Sequence, residues 1–194
     1  MSQDCLFNTL NEQPHSIHRI FTAASKYRVS DLLEQSAQIR SIASKASGGC
    51  VALCGLDPLE LVIAVIALDG YVNGILLVPA TTDSETCDFL VRLAKCTHRI
   101  TPGVTEVDAI ADFNTKSPND STTWKLATSG TTGTPKIIEH TLASLARTVK
   151  TTKFRAGDFH WGLLYDPSRY AGLQVVLQAL LSESCLTIPD LDQF

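Results

Sequence analysis

Residues 128–136 read Thr-Ser-Gly-Thr-Thr-Gly-Thr-Pro-Lys, which is the densest concentration of chemically useful groups in the chain. Thr128, Ser129, Thr131, Thr132 and Thr134 supply short hydroxyl donors, and Lys136 supplies a full positive charge. Gly130 and Gly133 permit positive φ and close backbone approach, so successive N–H groups can point into one concavity. Such a nest, closed by the stiff Pro135 and the lysine, suits a polyphosphate whose charge must be held while a bond to phosphorus breaks. The alternative is a threonine-rich hairpin loop with a solvated lysine, since Gly/Thr runs also occur in plain turns. Two familiar phosphate motifs do not fit. A Walker loop needs four residues between its glycines and Ser/Thr after the lysine, whereas two residues separate Gly130 from Gly133 and Ile137 follows Lys136. A G-x-G-x-x-G fingerprint is also absent.

A loop of this kind needs rigid elements on both sides. "TTWKLAT" (122–128) and "KIIEH" (136–140) read as the flanking strands. Upstream, "SDLLEQSAQIRSIASKAS" (30–47) has helical spacing with Ser30 as the expected cap, and "CVALCG" (50–55) reads as a buried strand. Asp57-Pro58-x-Glu60 is a strong helix start, followed by an almost wholly apolar helix ending at Gly70. "GILLVPA" (74–80) is a second buried strand, and 81–96 a second helix with Thr82 as the expected cap. Short strands are expected around the Pro-Gly turn of "HRITPGVTEVDAI", and 113–121 has loop composition. Further on come a helix over 141–150, a strand at 160–165, a helix over 171–184 and a last strand at 185–189. Strands that are apolar throughout imply a sheet covered on both faces. The expected fold is therefore α/β, with a mostly parallel sheet and helices on both sides. Residues 1–29 are expected to form a leader without defined elements, 30–120 a first α/β lobe, and 121–194 the loop segment with the α/β units after it.

Composition narrows the function classes. The chain has 194 residues, 44% hydrophobic and 19% charged, as expected for one globular domain or an incomplete one. A net charge of −4 offers no basic field, which argues against a nucleic-acid partner. No apolar run is long enough to span a bilayer, and the first residues lack a secretory pattern, so no membrane role and a cytoplasmic location are expected. The six cysteines lack zinc-site spacing and are expected as free thiols.

"TSGTTGTPK" is similar, position by position, to the phosphate loop of the adenylate-forming enzymes, the superfamily of acyl- and aryl-CoA synthetases, peptide-synthetase adenylation domains and luciferase. Residues 55–83 resemble an early helix–strand segment of that family, and 172–189 its G-L-x-x-x-L-x-x-L-L stretch, so the resemblance runs from about residue 30 onward. It implies the N-terminal part of an ATP-dependent, AMP-forming acyl-CoA synthetase. In such a ligase Thr128 to Thr134 and Lys136 bind ATP phosphates, a small carboxylic acid is activated, and CoA is the acyl acceptor. Mg²⁺ is implied with its protein ligand outside this chain, and the 194-residue chain alone is expected to be inactive.

The departures are specific. The family's histidine three residues before the Gly-Leu pair is replaced by Arg169, with Tyr170 beside it, and Arg169, Tyr170 and Gly172 become candidate substrate residues. Arg169 is either a carboxylate partner or a surface arginine at a helix start. His140 is either the histidine that follows the family's loop, here at altered spacing, or a strand-end residue capping the next helix. Asp166 is a weaker candidate for gripping a substrate amino group. A rival reading makes the chain a non-catalytic binding or assembly domain on the same fold. Self-association through an exposed sheet edge is expected near "CLTIPDLDQF".

Overall fold

In the computed structural model the described residues are 5–103, 107–110, 121–128, 135–150 and 159–190. The chain begins with α1 (Leu6–Asn11), β1 (His18–Phe21) and β2 (Lys26–Arg28), then α2 (Val29–Ile42) and β3 (Cys50–Cys54). There follow α3 (Pro58–Leu68), β4 (Gly74–Val78), α4 (Ser84–Leu93), β5 (His98–Ile100) and β6 (Asp108–Ala109). The second half holds β7 (Thr123–Thr128), β8 (Lys136–His140), α5 (Leu142–Leu145), β9 (His160–Gly162), α6 (Tyr170–Leu181) and β10 (Cys185–Thr187).

Two sheets form. The larger has the order β6-β5-β3-β4-β7-β8, with β5, β3, β4 and β7 mutually parallel and an antiparallel strand at each end. The α/β fold expected from the sequence is therefore present. Side chains of β3 and β4 alternate between two cores, as a period of two requires. Val51, Leu53, Ile75 and Leu77 join the large core with α2 and α3, while Cys50, Ala52, Cys54, Leu76 and Val78 join a smaller one under α4. Burial on both faces explains why "CVALC" and "GILLV" lack polar alternation.

The smaller sheet has the order β2-β1-β10-β9 and shares the large core through Ile20 and Leu186. It corrects two expectations. Residues before 30 are not featureless: they supply α1 and two strands, and Leu6, Leu10 and Ile20 are fully buried. The strand at Cys185–Thr187 is not an edge, because β1 and β9 both pair with it in parallel. Among the described residues the open outer strand beside the loop is β8, which pairs with β7.

Local signals were read with mixed success. Asp57 Oδ1 accepts from Glu60 N at 2.8 Å and Glu60 Oε2 from Asp57 N at 3.1 Å, the expected reciprocal cap. The next helix is capped by Asp83, whose Oδ1 accepts from Thr86 N at 2.9 Å, rather than by Thr82. A carboxylate is the stronger acceptor at a helix N-terminus, and it takes the position. The helix with Ser30 as its expected cap is capped two residues earlier, at Arg28, where Asp31 Oδ2 accepts from Arg28 N at 2.8 Å.

Candidate functional site

The β7–β8 hairpin presents Thr128 and Lys136 directly opposite each other at its mouth, with Thr128 Oγ1 donating to Lys136 O at 3.4 Å. Both residues are exposed. Thr128 is the last residue of β7, so the mouth lies beyond the carboxyl end of the parallel strands. That is where open α/β sheets hold their ligands. Ser129, Gly130, Thr131, Thr132, Gly133 and Thr134 lie outside the described residues.

What holds the hairpin in place is built from β7. Trp124 is fully buried, and its Nε1 donates to Asp69 Oδ1 at 2.9 Å. Asp69 Oδ2 accepts from Leu6 N at 2.9 Å, so one carboxylate joins the N-terminal helix, the end of α3 and β7. Burial pushes the Asp69 carboxyl above its ordinary range, opposed by the bonds from Leu6 and Trp124 and by the Arg40 charge. Thr122 Oγ1 accepts from Gly70 N at 2.8 Å and donates to Val72 O at 2.6 Å. Lys125 donates to Ala94 O at 2.8 Å and sits 3.3 Å from Glu139 across the ladder. The lysine at 125 is thus tied down, and the lysine at 136 projects into solvent. Asp69 is nearly silent in the sequence. Its one signal is an acid placed directly after an apolar helix and before Gly70, which takes a φ of 71°.

The remaining candidates gather at the start of α6. Arg169 is its exposed N-cap, and Tyr170 is 49% exposed with its ring 5.8 Å from that of His140. This contact joins the far end of β8 to α6. His140 lies four residues from Lys136 along the strand, roughly 13 Å, so it is not beside the loop mouth. It does not cap α5 either. Thr141 does, with its side chain accepting from Ser144 N at 3.1 Å. Gly172 is buried where α6 presses on the preceding turn, and an added Cβ would lie 2.6 Å from Tyr165 O and closer still to Asp166 O. Its small size is demanded by packing. Asp166 Oδ1 is engaged locally, accepting from Ser168 N at 2.8 Å and Ser168 Oγ at 2.5 Å.

An open cavity of about 370 Å³ lies elsewhere, between α2, α3 and Gly103. Among the described residues its one charged group is Glu60, whose two oxygens already accept from Asp57 N and Gly103 N. Among the described residues no group of three or more His, Cys, Asp or Glu could hold a metal ion, and no helix is long and apolar enough to cross a membrane.

By sequence, no family model and no curated protein matches the chain. By structure the agreement is extensive. The NpsA N-terminal subdomain of Klebsiella oxytoca, solved with 3-hydroxyanthranilyl-AMSN, matches 97% of this chain and 54% of its own at a TM-score of 0.73 and 19% identity. O-succinylbenzoate coenzyme A synthetase (MenE) of Bacillus subtilis, solved with ATP and magnesium, matches 94% of this chain and 56% of its own at 0.72 and 13%. VinN matches 97% and 57% at 0.71 and 14%. The chain has the α/β fold of the N-terminal subdomain of adenylate-forming enzymes. It spans just over half the length of these structures.

Proposed function

We propose that this chain is the ATP-phosphate-holding part of an acyl-adenylate-forming ligase, most like an acyl-CoA synthetase, acting in the cytoplasm. The observation that carries the reading is the hairpin mouth. Thr128 and Lys136 are paired at the carboxyl end of the parallel strands, at the two ends of the Ser129–Thr134 segment, in a fold shared with structures that hold ATP or an acyl-AMSN. In this reading a substrate carboxylate attacks the α-phosphate of ATP, forming acyl-AMP and releasing pyrophosphate. The segment 128–136 cradles the β- and γ-phosphates with backbone N–H groups and hydroxyls, and Lys136 stabilises the charge that builds on the leaving pyrophosphate. CoA then takes the acyl group as a thioester. Arg169 and Tyr170 border the carboxylic-acid side, with Gly172 letting α6 sit close against residues 165–166. Mg²⁺ would accompany ATP, but the described residues offer no ligand set for it, and none of them is assigned to it.

Stem and mouth divide the labour. A rigid, doubly buried sheet fixes the stem through Trp124, Asp69 and Lys125, and leaves the polar mouth free to meet an anion. Calorimetry with pyrophosphate and ATP tests it. Weak binding that falls with added salt and is lost in Lys136→Ala supports the reading. Absence of binding to either anion, or heats unchanged by the substitution, returns the segment to the status of a surface turn.

A further inference from the structure

Four of the six cysteines meet in pairs on one face of the larger sheet. Cys54 Sγ and Cys87 Sγ are 3.3 Å apart, and Cys50 Sγ and Cys96 Sγ are 3.4 Å apart. The pairing is invisible in the sequence, because it joins β3 to the first turn of α4 and to Cys96, in the turn between α4 and β5. The two pairs are separate sites. Cys50 and Cys54 are four residues apart along a strand, roughly 13 Å, which is too far for all four thiols to share one metal ion.

Access separates the pairs chemically. Cys50 and Cys96 are both buried, at 9% and 1% exposure. Cys87 lies half-buried on α4 with Cys54 directly beneath it. Arg99 carries its charge within electrostatic reach of both thiols. Its guanidinium is held by Asp88 at 2.6 Å, and its Nε is buried without a hydrogen-bond partner. The pair therefore lies beside a fixed cation that is itself paired with Asp88.

We propose that Cys54 and Cys87 form a peroxide-sensitive dithiol, a reversible modification site that closes to a disulfide between β3 and α4. Cys87 is the residue that meets the oxidant. Its sulfur attacks one peroxide oxygen, the O–O bond breaks, and water leaves a sulfenic acid on Cys87. Cys54 then attacks the Cys87 sulfur; the S–O bond breaks, and the departing hydroxide takes the Cys54 proton as water. Two thiols thus lose two protons and two electrons, and one peroxide becomes two waters. The sulfurs must approach from 3.3 Å to the bonded distance of about 2.05 Å, a movement that side-chain torsions and the first turn of α4 can supply. Burial, with the Cys87 contact, pushes the Cys54 thiol up to about 12, consistent with Cys54 as the second, resolving partner. The same small core packs against Ala127 and Ile137, which flank Thr128 and Lys136, so the pair underlies the stem of the hairpin. The proposal stands independently of what that hairpin binds.

The test is exposure of the reduced chain to hydrogen peroxide, followed by intact mass and by digestion before aspartate. That cleavage puts Cys54 in 31–56 and Cys87 in 83–87, so only a disulfide joins them. Expected are a loss of about 2 Da, a linked 31–56/83–87 peptide that persists in Cys50→Ala, and full reversal by a dithiol reductant. Cys87→Ser should give no internal disulfide. Cys54→Ser should leave a sulfenic acid on Cys87, trapped by dimedone. No linked peptide in the unmodified chain, a reversible 2 Da loss that survives Cys87→Ser, or a 31–56/83–87 linkage that vanishes in Cys50→Ala would each overturn the assignment. Should Cys54→Ser fail to fold, the unmodified chain, Cys50→Ala and Cys87→Ser decide the matter without it.

Discussion

Replacing Trp124 with Phe removes the indole N–H that Asp69 accepts, and with it part of the clamp that fixes β7. The structure divides the cost into two parts. The hydrogen bond is 2.9 Å long, runs to a buried carboxylate, and is worth about 1.5–3 kcal/mol. The smaller ring leaves a void around a side chain with no solvent exposure, adding about 1–2 kcal/mol. The total at neutral pH is then about 2.5–5 kcal/mol, a large part of the stability of a domain this size. Only the first part depends on pH. Burial raises the folded-state pKa of Asp69 above its unfolded value. A raised carboxyl contributes stability that is fully present below the unfolded pKa, about 3.9, and is lost as pH rises through the folded pKa. Trp124→Phe deletes a bond that favours the charged form, so the folded pKa climbs further and the variant gains more on acidification. The gap between the two proteins should narrow by about 1–2 kcal/mol between pH 7 and pH 4, measured by urea unfolding at each pH. A gap of equal size at both, or one below about 1 kcal/mol at pH 7, would refute the role given to Asp69.

Gly172→Ala should destabilise the chain by about 2 kcal/mol or more, read by thermal unfolding, because the new Cβ meets the backbone carbonyls of Tyr165 and Asp166 rather than a flexible side chain. The 194-residue chain should show no pyrophosphate–ATP exchange with any carboxylic acid of a broad panel; exchange abolished by Lys136→Ala would instead place catalysis within these residues. The open β8 edge, with Ile138 47% exposed, should give concentration-dependent self-association in sedimentation velocity, reduced by Ile138→Lys.

The features legible in the sequence were those with a local cause. An apolar run bounded by turns marks β3 and β4, and the Asp57-Pro58-x-Glu60 start marks α3, because the forces involved act between neighbours. Strands β1 and β2 escaped notice because each is short and mixed: His18 and Arg19 stand beside Ile20, and Arg19 is buried despite its charge. The strand character of β1 comes from pairing with β10, far along the chain, and β2 in turn pairs with β1. The same reason hides the Asp69–Trp124 bond and the Cys54–Cys87 contact, which join residues 55 and 33 positions apart. Within the candidate site, the loop motif and its flanking strands were readable from residue type and spacing. The contact between His140 and Tyr170 was not, because it joins β8 to a helix 30 positions further along the chain.

The central claim is that the hairpin mouth holds phosphate, and an amide NMR titration of the isotope-labelled chain with pyrophosphate tests it most directly. The account predicts shifts concentrated on Thr128, Lys136 and the N–H groups between them, weakening as salt is added and absent in Lys136→Ala. Shifts confined to other regions, such as the groove between α2 and α3, or a titration unchanged by the substitution, would contradict it.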